Sequence, residues 1–231
     1  MIEIKNVYKS FGKKRVLNNL SIKIEKGEIY GLLGANGAGK STTLNLLLGF
    51  LKIDKGTIDI MDDSSNEKIH PNEIGYINDN VNLYPYLSGL ENLDYFSRLA
   101  DLKLTKKQLN NILLECGLQS DAINKRVLTY SKGMRQKVGI SIAYAKNSKI
   151  FVLDEPASGL DPISSNELSN LLKKMSLNGA TIIMASHDIF RITNTCHKIG
   201  ILKNGELIKE MNANEVNSDE LEQMYIDYMT S

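Results

Sequence analysis

The octapeptide Gly34-Ala35-Asn36-Gly37-Ala38-Gly39-Lys40-Ser41 constrains this chain more than any other stretch. It matches the phosphate-binding loop pattern G-x-x-x-x-G-K-[ST] at every fixed position. That pattern carries its chemistry only between a buried strand and a helix, and both are legible here. Glu28 to Leu33 read as the strand, and Ser41 to Leu48 carry an apolar face at helical spacing. Glycines at 34, 37 and 39 let successive N–H groups approach phosphate oxygens that a side chain would hold away. The helix N-terminus adds positive potential. Asn36, Gly37, Ala38, Gly39, Lys40, Ser41 and Thr42 are therefore the expected nucleotide contacts. Lys40 is assigned to the β- and γ-phosphates and the Ser41 hydroxyl to Mg²⁺.

The 231 residues suit one α/β domain spanning 1–231, and 42% hydrophobic with 24% charged residues is ordinary for a packed globular chain. A net charge of +1 leaves no electrostatic footprint for nucleic acid, so no such partner is expected. Cys116 and Cys196 stand far apart in no metal-ligand spacing and read as reduced, buried thiols of a cytosolic protein. No apolar run approaches the roughly 20 residues that span a bilayer. Met1 to Lys5 open as a strand rather than a signal peptide.

Taken in order, Ile2, Ile4 and Val7 begin what reads as an edge strand. Val16, Leu20, Ile22 and Ile24 resume the alternation after a basic turn at Gly12 to Arg15. This predicts an antiparallel region ahead of the loop. Lys9, Lys13, Lys14 and Arg15 read as a solvated cluster. Gly56 to Ile60 is another short strand, Asp62 to Asn66 a polar turn, and Glu73 to Ile77 a return to the sheet that exits through Asn78-Asp79-Asn80. From Ser88, an N-cap with Glu91 completing a capping box, the period becomes helical through Leu90, Leu93, Phe96 and Leu99. A second helix is predicted over Thr105 to Glu115. With the helix that follows Gly133, this forms a helical insertion over about 87–146.

Lys149 to Leu153 form a fully apolar strand that delivers Asp154 and Glu155 at its C-terminal end. Nucleotide hydrolysis needs a second group on Mg²⁺ and a positioner for the attacking water. Asp154 suits the first task and Glu155 the second. Asp161 caps a helix with Pro162 in its first turn. Thr181 to Ala185 form another buried strand, parallel to the first, and His187 follows it at the edge where α/β ligands bind. Ile199 to Leu202 and Glu206 to Ile208 flank a Lys203-Asn204-Gly205 hairpin turn, and Ser218 to Met229 close the chain as a helix.

Along nearly its whole length the sequence resembles the nucleotide-binding subunit of an ATP-binding-cassette (ABC) transporter. Gly34 to Ser41 match that family's Walker A loop, and Ile150 to Glu155 match Walker B with its catalytic glutamate. Ser158-Gly159-Leu160-Asp161 resembles the D-loop. The resemblance implies that His187 is the switch histidine, that Phe11 stacks on adenine, and that Ser131 and Gly133 of the signature Tyr130-Ser131-Lys132-Gly133-Met134 contact a γ-phosphate. It implies an α/β fold of P-loop NTPase ABC type, with a mixed sheet, an N-terminal antiparallel β-region and a helical subdomain. ATP and Mg²⁺ are the implied cofactors. The implied partners are a second ATPase subunit, in a homodimer or heterodimer arranged head to tail, and a separate integral-membrane permease. The implied location is cytoplasmic, peripheral on the inner face of the membrane.

The sequence departs from that family at two motifs. The signature is usually Leu-Ser-Gly-Gly-Gln, and the variant with Lys132 and Met134 is similar to that of bacterial exporters of drugs, bacteriocins and antimicrobial peptides. The family's Q-loop glutamine is replaced by Asp79, which is assigned to the metal through a water. Other P-loop classes fit less well. Asn124-Lys125-Arg126-Val127 lacks the aspartate by which GTPases read guanine, and neither the acceptor pocket nor the lid of a kinase is found. ABC proteins that act on ribosomes or DNA generally carry two cassettes or long coiled-coil insertions, whereas this chain has one loop and a compact insert.

Overall fold

The computed structural model describes residues 1–62 and 67–230. The chain begins with β1 (Ile2–Phe11), β2 (Lys14–Ile24) and β3 (Ile29–Leu33), then α1 (Lys40–Leu47), β4 (Lys55–Asp62), β5 (Glu67–Lys68) and β6 (Gly75–Ile77). Three helices follow, α2 (Gly89–Leu99), α3 (Lys106–Glu115) and α4 (Lys132–Ala145). Next come β7 (Ile150–Asp154), α5 (Pro162–Leu177), β8 (Thr181–Ser186) and α6 (Ile189–Thr195). A hairpin of β9 (Lys198–Lys203) and β10 (Glu206–Asn212) leads into α7 (Ser218–Thr230). The polar turn expected at Asp62 to Asn66 lies, from residue 63 on, outside the described residues.

One sheet is antiparallel in the order β2-β1-β4-β5, and the other is mixed in the order β10-β9-β3-β8-β7-β6. β1 is not the edge strand its alternation suggested. It lies between β2 and β4, with Ile2 opposite both Ile24 and Ile60, and Ile4 opposite both Ile22 and Ile58. A strand's own pattern reports which face is buried, whereas edge or centre depends on a partner elsewhere in the chain. The basic cluster also divides. Lys9 leaves it, its Nζ donating to Asp54 Oδ1 at 2.9 Å with little of the side chain exposed.

In the second sheet β9, β3, β8, β7 and β6 run parallel. The apolar runs of β9, β3, β8 and β7 reflect burial on both faces, whereas Tyr76 of the edge strand β6 is exposed. Tyr30, Leu32, Val152 and Ile183 face the antiparallel sheet and α1. Their neighbours Ile29, Leu33, Phe151, Leu153 and Ile182 face the other way, into a core shared with α5 and α6. Cys116 and Cys196 are both free and buried, and burial pushes the Cys116 thiol up to about 11.

The helical insertion closes a third core of its own, around Leu93, Leu109, Leu113, Ile123 and Val138. The predicted cap of Ser88 with Glu91 forms here, and Thr105, read as the first residue of its helix, instead caps it together with Gln108. The phenol of Tyr130 ties this layer together, accepting from the Gly89 N–H at 3.2 Å and donating to the Ala122 carbonyl at 2.7 Å. Fully buried Asn92 accepts from the Tyr84 N–H and donates to the Ser88 carbonyl, fixing the approach to α2.

Phe151 tests this layering, because its ring fills the space over Gly75, where a Cβ would come within 2.8 Å of it. Phe151→Ala is expected to lower stability by about 3–5 kcal/mol. Leu177→Ala, at a side chain 86% exposed, should stay within about 0.5 kcal/mol. Urea unfolding monitored by circular dichroism reads both, and equal midpoints would place Phe151 outside the core.

Candidate active site

Parallel register brings the site together. Leu33 pairs with Ser186, Asp154 with Ala185, and Ile77 with Leu153. The loop after β3, the acids after β7, His187 after β8 and Asp79 after β6 therefore leave the sheet at one edge, where open α/β sheets bind ligands.

At the loop, Gly39 is the residue preceding α1, with φ 113°, and a Cβ there would lie 2.7 Å from Leu17. Only glycine fits both the backbone and the space. No side chain caps α1, so its first N–H groups remain directed at the cradle. Asn36 and Gly37 are exposed, Ala38 is buried and Thr42 half-buried. Lys40 is only 6% exposed. Its ammonium donates to the carbonyls of Gly34 at 2.6 Å and Ala35 at 3.3 Å, and it lies 3.7 Å from Glu155 Oε1.

Glu155 is the focus of the acidic side. Its backbone adopts the left-handed region at φ 50°, a conformation non-glycine residues hold only when their surroundings enforce it. The enforcing contact is its N–H, which donates to the Ala185 carbonyl at 2.9 Å. The carboxylate is 19% exposed, with Oε1 2.9 Å from His187 Nδ1 and Oε2 accepting from the Ser186 hydroxyl at 3.2 Å. Beside it, Oδ1 of Asp154 is buried with no hydrogen-bond partner among the described residues. Burial pushes the Asp154 carboxyl above the usual carboxylate range, and the charges of Glu155 and Asp79 add to that. A hydrogen bond from Ser41 and the charge of Lys40 oppose it. An orphaned carboxylate oxygen next to the Ser41 hydroxyl is a donor set that fits a hard cation.

Lys40, Ser41, Asp154, Glu155 and His187 are thus joined in one cluster. Phe11 lies on the surface, 48% exposed, with Lys9 Nζ 5.6 Å from its ring centroid. Asp79 faces Lys132 of α4, its Oδ1 2.5 Å from the Lys132 Nζ. Ser131 and Gly133 are engaged elsewhere. Ser131 caps α4 by accepting from the Met134 N–H at 3.2 Å, and Gly133 packs where a Cβ would come within 3.0 Å of Ser164 on α5. His197 has a structural task, its Nδ1 accepting from the Ile29 N–H at 2.9 Å.

Three residues escaped the reading of the sequence. Ser186 was visible only as the end of a strand, yet its hydroxyl orients Glu155. Lys132 was noted only as a departure within the signature, and Gln136, just beyond it, was given no role. Gln136 is buried and donates through Nε2 to the carbonyls of Asn78 at 3.2 Å and Asp79 at 2.9 Å. The available signal was their spacing, four residues apart on one helix face.

Comparison with known proteins agrees with this geometry. A family profile described as ABC transporter matches residues 17–158. The ABC transporter ATP-binding protein YhcH of Bacillus subtilis is 37% identical over 223 residues, spanning 95% of this chain and 72% of that protein. The bacitracin transport ATP-binding protein BcrA of Enterococcus faecalis is 35% identical, spanning 94% of this chain and 70% of BcrA. The lantibiotic transport ATP-binding protein SrtF of Streptococcus pyogenes is 34% identical, spanning 97% and 96%. Among solved structures, the dimeric post-hydrolysis state of the ATP-binding cassette MJ0796 bound to ADP and Pi superposes with a TM-score of 0.77. It is 28% identical, over 92% of this chain and 99% of that one. CbiO1 of Clostridium perfringens gives 0.82 at 26% identity, over 97% and 92%. A profile covering more than half the residues, and relatives a third identical along almost all of them, make this protein a member of the ABC transporter family, an ATP-binding cassette whose ATPase activity is coupled to transport.

Proposed function

We propose that this cassette binds ATP with Mg²⁺ at the loop edge, dimerises head to tail on ATP, and drives a separate membrane permease that exports an antimicrobial peptide or drug. The observation that carries the catalytic part is the setting of Glu155, held by Ala185, Ser186 and His187 beside the buried Lys40. In this reading Glu155 positions the attacking water, and His187 and Lys40 both steady its carboxylate through Oε1. Lys40, Ser41 and the loop N–H groups would hold the phosphates, Phe11 the adenine, and Ser41 with Asp154 the metal. Bound there, Mg²⁺ would neutralise developing charge on the phosphate oxygens. Asp79 is assigned to that metal through a water.

The dimer follows from Ser131, which caps its own helix, and Gly133, which packs against α5, because the two complete a site only on another chain's nucleotide. The cargo reading is supported by the signature variant and by relatives named for bacitracin and lantibiotic transport. Among the described residues no helix is long and apolar enough to cross a membrane, in keeping with a separate permease and a peripheral place on the cytoplasmic face. One ATPase unit over 1–231, with a helical subdomain at about 87–146, is the organisation we assign.

Three experiments check these roles. Glu155→Gln should keep ATP binding and slow hydrolysis roughly a hundredfold or more, accumulating a dimer on size-exclusion chromatography. Lys40→Ala should instead lose ATP binding, because a charge-assisted contact of about 1.5–3 kcal/mol is removed. Weak ATP binding with unchanged turnover in Glu155→Gln would refute the water-positioning role.

Mixing Ser131→Arg chains with Lys40→Ala chains gives heterodimers in which one composite site carries both lesions and the other carries neither. ATPase activity should therefore exceed that of either variant alone. No recovery from verified heterodimers would exclude a shared site. For Asp79, titrating Mg²⁺ at saturating ATP should show that Asp79→Asn needs more metal for half-maximal activity. Superimposable curves would leave this residue without a metal role.

A further inference from the structure

Asp79 departs from the family's Q-loop and Lys132, with Met134, from its signature, and the fold places Asp79 and Lys132 against each other. Asp79 Oδ1 and Lys132 Nζ are 2.5 Å apart across 53 residues of sequence. Each departure alone is costly. An acid at 79 adds negative charge beside Asp154 and Glu155, and a lysine at 132 adds a long cation to a turn that is usually glycine. Together they neutralise one another.

The pair is also mechanically placed. Asp79 leaves β6 next to the end of β7 and so belongs to the nucleotide edge of its own chain. Lys132 is the first residue of α4, the helix whose Ser131 and Gly133 are offered to a partner's nucleotide. One turn on, Gln136 clamps the backbone of Asn78 and Asp79 to the same helix. The Lys132 stem lies over Gly159, where a Cβ would be 3.7 Å from Lys132 Cδ and 3.5 Å from Nζ, so the D-loop touches the same junction.

We propose that Lys132 is a positioning residue which, through its ion pair with Asp79, couples occupancy of a chain's own nucleotide site to the helix that completes its partner's site. The second oxygen of Asp79 accepts from Asn80 Nδ2 at 3.3 Å while the first holds Lys132. A shift of Asp79 on metal and nucleotide binding therefore pulls directly on the N-terminus of α4. Side-chain exposures of 25% for Lys132 and 40% for Asp79 keep the link weak enough to be remade in each cycle.

The inference rests on the head-to-tail dimer proposed above, and the test separates the two. In a Glu155→Gln background, the Hill coefficient for fluorescent ATP in Mg²⁺ and the dimer dissociation constant by analytical ultracentrifugation are measured for four additional changes. These are Asp79→Asn, Lys132→Met, both together, and Lys132→Arg. The expected Hill coefficient of the background approaches about 2, the number of coupled sites, and falls towards about 1 in each neutralised variant. The double change should be no worse than either single one, and Lys132→Arg should retain cooperativity. Thermal midpoints are recorded alongside, since a merely structural pair would move them and leave the Hill coefficient alone. ATP-driven dimers with unchanged Hill coefficients, or losses that add in the double variant, overturn the coupling while leaving the dimer standing. Absence of an ATP-driven dimer in the background protein overturns both.

Discussion

The parallel strands β9, β3, β8 and β7 are packed on both faces, and everything at the site depends on that double burial. Tyr30 and Leu32 fill one core while Ile29 and Leu33 fill the other, and the same alternation repeats in β7 and β8. A slip of one residue in any pairing would exchange the two sets. With register held this firmly, the four strand ends that carry the phosphate loop, Asp79, Asp154 with Glu155, and His187 are delivered to one edge at fixed depth. The chemistry is positioned by apolar packing several residues away from it.

At that edge the charges are arranged in opposition. Asp79, Asp154 and Glu155 gather three carboxylates, and Lys40 and Lys132 answer them from opposite sides. Lys40 is nearly buried and its charge is held by backbone carbonyls of the loop as well as by Glu155, so phosphate oxygens entering the cradle would replace contacts the ammonium already needs. Asp154 keeps an oxygen with no protein partner, and burial raises its affinity for a proton. A divalent cation would reverse that preference, which is the ground on which we assign the carboxylate to the nucleotide's metal.

The helical layer meets the sheet layer both through apolar packing, with Cys116, Ile140 and Ala143 in the core around Phe151, and through polar contacts at functional loops. Its own core, closed by Leu93, Leu113 and Val138 and pinned by Tyr130, makes it a firm body. Lys132 and Gln136 join that body to the segment after β6.

Much of this protein was determined by its sequence within short windows. The phosphate loop, the apolar strand before it and the helix after it, the caps at Ser88 and Asp161, and the Lys203-Asn204-Gly205 turn all depend on residues within four or so positions of one another, and all form as read. Asp154 and Glu155 were legible as candidates because two acids ending an apolar strand accompany a phosphate loop in the same chain. Only the tertiary structure decided that β1 sits inside its sheet, that β8 lies between β3 and β7, that Glu155 is held with φ 50° against Ala185, and that Asp79 meets Lys132. Each of these joins residues far apart in the chain, and which distant groups meet is set by how two faces of a sheet are filled, a property of the packed whole that no local pattern contains.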